Sequence, residues 1–193
     1  RVRFFQECMY LLLCGCGTGF SVQKHHINNL PDLLPKKEGT KEYIIPDTIE
    51  GWSDAVGILV SSYFDQPANE ELFTEYSGKN IDFNYSEIRP AGAYLKSSGG
   101  KAPGAGPLKK TLANIRKILD KSIKDGQTKL TPIQAYDIVM HAADAVISGG
   151  VRRSATIALF SPEDEEMATA KTGNWFIENP QRGRSNNSAL LVR

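Results

Sequence analysis

The stretch that most constrains the fold is the apolar run from Ile133 to Ile147, followed directly by Ser148-Gly149-Gly150-Val151-Arg152-Arg153-Ser154. The run is apolar nearly all round at helical spacing, which predicts a helix buried on every side. A short apolar run from Ala155 to Phe160 comes next and predicts a strand. The sequence therefore predicts a buried helix and a strand joined by a Gly-Gly hinge and two adjacent arginines.

This hinge has two readings that the residues alone leave open. A glycine pair can adopt positive φ and lets the backbone approach a ligand closely. The guanidinium groups of Arg152 and Arg153 offer planar donor forks that suit phosphates or base edges. Together these features are typical of a nucleotide-sensing loop. The alternative is an ordinary glycine-capped helix end whose arginines are solvated.

The bulk composition excludes several classes of protein. A chain of 193 residues with a net charge of +1 gives no argument for bulk binding to DNA, RNA or a membrane. No apolar run approaches the roughly 18 residues of a membrane-spanning helix. Three cysteines argue against a secreted disulfide framework, so we expect a reducing, cytoplasmic location. The chain begins at Arg1 without Met and ends at Arg193 after an apolar run, and we expect it to be a piece of a longer protein.

Alternating glycines mark the segment Cys14 to Gly19, which follows a predicted helix over Arg3 to Leu13 and precedes a predicted strand from Phe20 to Gln23. A dinucleotide-binding motif needs the reverse order, strand before helix, so that function is disfavoured. A tight-packing turn and a loop beside a substrate remain open. Cys14 and Cys16 are predicted to be packed thiols, because no second Cys or Cys-His pair completes a zinc site. No metal site is predicted, and the adjacent His25-His26 pair is expected at the surface.

The most loop-like segment runs from Lys96 to Pro107 and is rich in glycine, serine and proline. It is short and embedded between ordered elements, which favours a ligand-contacting loop over a linker. It ends where Pro107 fits the first turn of a helix. Backbone N–H groups at that helix start, with Lys96 or Lys101 nearby, would suit a phosphate.

Further capping and strand signals divide the rest of the chain. Capping boxes are predicted at Asp47 with Glu50 and at Thr131 with Gln134. Ser161-Pro162 is predicted to cap a short helix with an acidic first turn. Further strands are predicted at Glu42 to Ile45, Ile81 to Ser86 and Ala189 to Val192.

Four motifs in the same order, spread over almost the whole chain, resemble adenosylcobalamin-dependent (class II) ribonucleotide reductases. Any one of them alone would be a weak signal, whereas the ordered set is specific. They are Cys14-Gly15-Cys16-Gly17-Thr18-Gly19-Phe20-Ser21-Val22-Gln23-Lys24-His25-His26, Ile88-Arg89-Pro90-Ala91-Gly92, Ser148-Gly149-Gly150-Val151-Arg152-Arg153-Ser154-Ala155 and Ser185-Asn186-Asn187-Ser188.

The resemblance implies an α/β fold. Residues 1–193 would form part of one catalytic domain, the ten-stranded α/β barrel of ribonucleotide reductases, with a class II-type insertion over residues 36–84. It implies reduction of ribonucleotides, as ribonucleoside triphosphates, to deoxyribonucleotides by a thiyl-radical mechanism that adenosylcobalamin initiates. The implied partners are the ribonucleotide substrate, a deoxyribonucleotide or ATP effector and a thioredoxin-type reductant.

The resemblance also implies roles for three groups of residues. One group would form the loop between the effector and the substrate base, another would belong to the effector site, and a third would lie near the substrate. They are, in that order, Gly149, Gly150, Val151, Arg152, Arg153 and Ser154; Lys96, Ser97, Ser98, Gly99, Gly100 and Lys101; and Gly17, Gly19, Ser86 and Glu87.

One departure from the family bears directly on the chemistry. The family's radical cysteine lies in an Asn-Pro-Cys-x-Glu loop, and this chain has no such loop. Cys8, Cys14 and Cys16 match none of the family's reactive cysteines, so we expect no catalytic residue here and no activity from this chain alone. Two alternatives are a non-catalytic nucleotide-binding module and the same reaction with an iron or manganese radical generator.

Overall fold

The computed structural model describes residues 1–35, 37–66, 72–95, 100–148 and 155–191. In chain order its helices and strands are α1 (Arg3–Leu13), β1 (Gly17–Ser21), α2 (Lys24–Ile27), β2 (Thr40–Ile44), α3 (Ile49–Ser61), β3 (Asn80–Asn84), α4 (Gly106–Lys124), α5 (Pro132–Ser148), β4 (Ala155–Phe160), α6 (Glu165–Ala168), α7 (Trp175–Glu178) and β5 (Ser185–Ala189). Two 3₁₀ turns, Thr74–Tyr76 and Pro180–Arg184, complete the regular structure of these ranges. No helix in these ranges is long and apolar enough to cross a membrane.

A three-stranded parallel sheet in the order β1-β4-β5 forms one side of the fold. Its register aligns Thr18 with Thr156 and Thr156 with Ser185, and all three side chains are buried. Successive residues of a strand point to opposite faces, so this alternation separates a core face from an open face. The core face lies against the helices.

Helix α5 is the centre of the core. It packs against α1, α4 and the 3₁₀ turn Pro180–Arg184, while α1 also packs on α3. Each fully buried aliphatic side chain stabilises such a core by about 1.5–3 kcal/mol relative to leaving it in water. The fully or almost fully buried α5 residues are Ala135, Tyr136, Ile138, Val139, Met140, Ala142, Ala143, Ala145 and Val146.

A second, two-stranded parallel sheet pairs β2 with β3 and contacts α3 through β3. Tyr43 of β2 packs edge-on against Phe83 of β3, with ring centroids 6.4 Å apart, and against Tyr76, at 6.2 Å. Ile58 of α3, Tyr76 and Ile81 form a small hydrophobic cluster, and Tyr43 and Phe83 pack against it. This sheet is therefore held to the main core through α3.

The helical periodicity predicted the long helices well. The predicted helix over Arg3 to Leu13 and the predicted strand over Ala155 to Phe160 are observed with those bounds, and Pro107 lies in the first turn of α4. The capping box at α5 is also confirmed. Gln134 Oε1 accepts from the Thr131 N–H at 2.9 Å, and Thr131 Oγ1 accepts from the Gln134 N–H at 3.4 Å.

Two predicted caps are wrong. Helix α3 is capped by Thr48, whose Oγ1 accepts from the Gly51 N–H at 2.9 Å, while Asp47 instead pairs with Arg89. Helix α6 is capped by Asp164, whose Oδ1 accepts from the Met167 N–H at 3.0 Å. Each true cap stands at the residue where the backbone is still extended, the conformation that aims its side chain at the open N–H groups.

The predicted bounds of β2 and β3 differ from the observed ones by at most two residues, and those of β1 and β5 are further off. Strand β1 begins at Gly17, three residues before its predicted start, and β5 begins at Ser185 and ends at Ala189. The predicted end of that last strand, Val192, lies outside the described residues. Parallel pairing with β4 determines both positions, and local apolarity gives no information about such a distant partner.

We expect Thr48→Ala to lower the free energy of unfolding by about 1 kcal/mol, because the Gly51 N–H loses its acceptor. Asp47→Ala is the matched control, and it removes one member of a partly exposed ion pair worth less than about 0.5 kcal/mol. Urea unfolding of the intact protein, followed by circular dichroism, compares the two. A larger loss for Asp47→Ala would contradict the assigned cap.

Candidate functional site

The open face of the three-stranded sheet carries the first two near-substrate residues. Gly17 and Gly19 of β1 both point to this exposed face. In register across the sheet, Gly19 lies beside Ile157 of β4, which lies beside Asn186 of β5. A Cβ added at Gly19 would stand 3.2 Å from Ile157 Cγ2, tighter than ordinary packing. Because Gly17 and Gly19 have no side chains, no side-chain atoms project from this part of the open face, which leaves room for another group.

The buried side of β5 is held by one tyrosine. Tyr136 of α5 is fully buried, and its hydroxyl lies 2.8 Å from Ser185 Oγ and 3.0 Å from Asn187 Oδ1. The same hydroxyl also lies 3.2 Å from the Arg182 carbonyl oxygen. Burial raises the pKa of Tyr136, so the phenol stays protonated and can donate its single O–H to one of these oxygens. Asn187 is thereby fixed on the core side, which turns the preceding Asn186 to the open side.

Two ion pairs join α5 to the turn that precedes β5. Arg182 bonds Asp137 in a bidentate fork, with Nη2–Oδ2 at 2.7 Å and Nε–Oδ1 at 2.8 Å, and the two side chains are only 14% and 12% exposed. The hydrogen bond to Asp137 raises the pKa of Arg182 above the ordinary value of an arginine side chain. Arg184 Nε donates to Asp144 Oδ1 at 2.9 Å in a more exposed pair. Tyr136 and these pairs, which we call the α5–β5 clamp, fix the strand against the helix.

The predicted specificity loop, residues 149–154, lies outside the described residues, but both of its flanks are described. It begins after Ser148, the last residue of α5, and ends before Ala155, the first residue of β4. Ala155 is the register partner of Gly17. The segment therefore arrives at the same edge of the sheet as the first glycine of β1, and its other end leaves the clamped helix.

The predicted effector loop is described only in part, because residues 96–99 lie outside the described ranges. Lys101 forms a bridge with Tyr94, and the Leu95 N–H donates to the Gly100 carbonyl at 2.9 Å. Gly100 and Lys101 thus stand on the returning arm of a hairpin, where Lys101 is exposed. The hairpin leads directly to the start of α4.

Ser86 and Glu87, the other near-substrate residues, lie in the exposed turn after β3. The Ser86 N–H donates to Asn84 Oδ1 at 2.9 Å. The chain continues to Gly92, whose N–H donates to the Ala102 carbonyl at 2.9 Å. The described hydrogen bonds therefore join the segment after β3 to the hairpin of the predicted effector loop. Gly17 and Gly19, the other two predicted near-substrate residues, lie in the three-stranded sheet instead.

The prediction that Cys14 and Cys16 are packed is wrong, because both are exposed. They flank Gly15 in the turn that ends α1, where Gly15 has a φ of +85° and its N–H donates to the Leu12 carbonyl. A left-handed glycine at this position lets the chain reverse at the helix end. Cys8 is buried, and burial raises the pKa of its thiol to about 12.

The adjacent histidines are exposed, as expected, but they lie on the short helix α2 rather than on an extended segment. The His25 and His26 ring centroids are 4.0 Å apart, and His26 Nδ1 lies 2.8 Å from Ser21 Oγ. Among the described residues, no group of three or more His, Cys, Asp or Glu side chains could hold a metal ion.

Sequence reasoning missed the α5–β5 clamp. Asp137 and Asp144 lie seven residues apart, which places both carboxylates on one face of α5. Carboxylates in an otherwise apolar helix require positively charged partners. Arg182 and Arg184 follow the predicted strand Ala155 to Phe160 in the sequence. The spacing of two acids and two arginines was therefore the signal that could have identified the clamp.

We expect Asp137→Ala to lower the free energy of unfolding by about 2–4 kcal/mol, because it leaves the guanidinium of Arg182 uncompensated in a largely buried position. Glu7→Ala is the control, since its pair with Arg3 is about half exposed on both sides and should cost less than about 0.5 kcal/mol. Chemical denaturation of the intact protein measures both. Equal effects would contradict the importance assigned to the clamp.

Comparisons with known proteins place this geometry in a family. Residues 22–119 match the family model described as B12-dependent ribonucleotide reductase, insertion domain. An adenosylcobalamin-dependent ribonucleoside-triphosphate reductase from Lactobacillus gasseri is 31% identical over 93% of this chain and 27% of its own length. A probable adenosylcobalamin-dependent ribonucleoside-triphosphate reductase from Dictyostelium discoideum is 34% identical over 77% of this chain and 18% of its own length.

The fold has a counterpart among solved structures. A crystal structure of a B-12 dependent (class II) ribonucleotide reductase superposes with a TM-score of 0.80 over 98% of this chain and 29% of that one, at 24% identity. This likeness confirms the predicted fold class, an α/β fold that is part of the reductase barrel. The predicted insertion limits, residues 36–84, remain a prediction.

The chain spans about a quarter of the length of the Lactobacillus relatives it matches. The family model covers half of the chain, and the relatives align over nearly all of it. The chain belongs to the B12-dependent, class II ribonucleotide reductase family.

Proposed function

We propose that this chain is the part of an adenosylcobalamin-dependent ribonucleoside-triphosphate reductase that positions the substrate and selects which base is reduced. One observation carries the proposal. The register pair Gly17–Ala155 brings the glycine strand β1 to the sheet edge where residues 149–154 arrive. A loop between a binding face and a helix that is clamped in place can pass an effector signal to the substrate.

In the proposed reaction the 2′-hydroxyl of a ribonucleoside triphosphate is replaced by hydrogen. A dithiol of a thioredoxin-type reductant supplies two electrons and becomes a disulfide, and water leaves. Adenosylcobalamin supplies the radical that begins this chemistry when it is bound. The thiol that carries the radical belongs to the rest of the reductase, because the three cysteines of this chain match none of the family's reactive positions.

The residues of this chain bind and orient in this proposal. Residues 149–154 lie between effector and substrate base, and the hairpin containing Gly100 and Lys101 contributes to the effector site. Exposed Lys101 supplies a positive charge close to the start of α4, an arrangement suited to an effector phosphate. The α5–β5 clamp fixes the helix that precedes residues 149–154.

The donor set of the described residues does not fit the cobalt of the cofactor. The His25 and His26 rings contact each other at a tilt of 50°, and the Nδ1 of His26 is already within hydrogen-bond distance of Ser21 Oγ. In this proposal the described residues of the chain bind and orient nucleotides and do not hold the cobalt.

A reductase assay on the intact protein tests the proposed function. We expect reduction of ribonucleoside triphosphates that depends on added adenosylcobalamin and on a dithiol. Reduction that needs iron or manganese instead would favour the metal-radical alternative. Nucleotide binding with no reduction under either condition would favour a non-catalytic regulatory module.

We expect Arg153→Ala to alter substrate choice more than folding, because a guanidinium between effector and base selects rather than reacts. The measurement is kcat/KM for all four ribonucleotides at fixed effector, with a change in their ratios of about tenfold for at least one pair. Arg3→Ala, in an exposed ion pair on α1, is the control and should leave the ratios unchanged. Equal losses on all four substrates, or a matching fall in Tm, would refute the role.

A further inference from the structure

The Ser185-Asn186-Asn187-Ser188 run contains two asparagines with opposite surroundings. Asn187 is half-buried and hydrogen-bonded to Tyr136 and Ser185 on the core side. Asn186 is exposed on the open face, in register with Ile157 and, one strand further, Gly19. Its side-chain amide makes no hydrogen bond to any other described residue. The clamp thus fixes the backbone of β5, and the unbonded amide of Asn186 stands on the open face with Ile157 between it and Gly19.

Asn186 has apolar and polar neighbours on the open face, where Ile157 lies beside it, and Lys171 donates to the carbonyl of the preceding Ser185. Strands β1, β4 and β5 contain no charged residue. Ser21 and Ser188 lie on the same face as Asn186, at the next position along their strands. A triphosphate would require cations, which these strands do not offer, whereas an amide beside hydroxyls suits a neutral group that both donates and accepts. The ribose of a nucleotide is such a group.

We propose that Asn186 hydrogen-bonds a ribose hydroxyl of the ribonucleotide and so positions the sugar on the open face of the sheet. This inference rests on the proposed reductase function and assigns to that site a binding residue outside the loop and the glycines. Asn186 binds and orients the sugar, and it takes no part in the radical chemistry. Tyr136 acts through it as a positioning residue, because it anchors the neighbouring Asn187.

The test uses steady-state kinetics of the intact reductase with adenosylcobalamin. The probes are CTP as substrate, with 2′-deoxy-CTP and 3′-deoxy-CTP as competitive inhibitors. We expect Asn186→Ala to raise the KM for CTP about 3- to 10-fold, the effect of one lost hydrogen bond. The Ki of the analogue that lacks the bonded hydroxyl should stay within about twofold of the wild-type value.

Two further variants keep the test interpretable. Asn186→Ser is smaller but still polar and should show a weaker rise in KM, and it serves if the alanine variant is poorly folded. Asn80→Ala removes an exposed asparagine from β3 of the other sheet and should leave all three constants unchanged.

The outcomes separate this inference from the function on which it rests. An unchanged KM for CTP in a folded Asn186→Ala protein would overturn the inference and leave the reductase function standing. Equal weakening of CTP and both deoxy analogues would also overturn it, since no sugar hydroxyl would then be read. A wild-type protein that reduces no ribonucleotide would overturn both.

Discussion

The bidentate pair between Arg182 and Asp137 is the interaction on which the arrangement of the site depends. Two charged side chains that are almost inaccessible to water are stable only while each compensates the other. Because Asp137 lies on α5 and Arg182 just before β5, their pairing fixes the strand against the helix. The adjacent Tyr136 hydroxyl then determines which asparagine of β5 faces the core and which faces outward.

The glycines of β1 have a different physical role. Parallel strands in register place side chains from neighbouring strands side by side on one face. At the level of Gly19 that row contains Ile157 and Asn186, and a methyl group on Gly19 would already crowd Ile157. The row therefore has no side chain at its Gly19 end, and the α5–β5 clamp fixes the strand that carries Asn186 at its other end. The open face of these three strands therefore carries no charged side chain of its own, and Asn186 contributes an exposed amide at one end of the row.

Local sequence signals predicted the elements whose stability is local. The periodicity of α1 and α5 and the Thr131–Gln134 capping box depend on residues three or four positions apart, and these predictions are confirmed. Strand β5 depends on pairing with β4 and on Tyr136, about 50 residues earlier, so its apolar neighbours gave the wrong position. The predicted cap of α3 was wrong for a different reason. Asp47 and Thr48 are both good capping residues, and only the local backbone conformation distinguishes them.

The site was predictable only where a family motif marked it. Gly17 and Gly19 were identified by resemblance, and the structure adds that Gly17 is the register partner of Ala155, the residue that follows residues 149–154. Selection among bases separates two tasks, because the base varies while the ribose is common to every substrate. In the proposed function the open face bearing Asn186 binds the constant part of the nucleotide, and residues 149–154 read the part that varies. The described structure supports this division because α5, which precedes those residues, and β5, which carries Asn186, are joined by the same ion pairs.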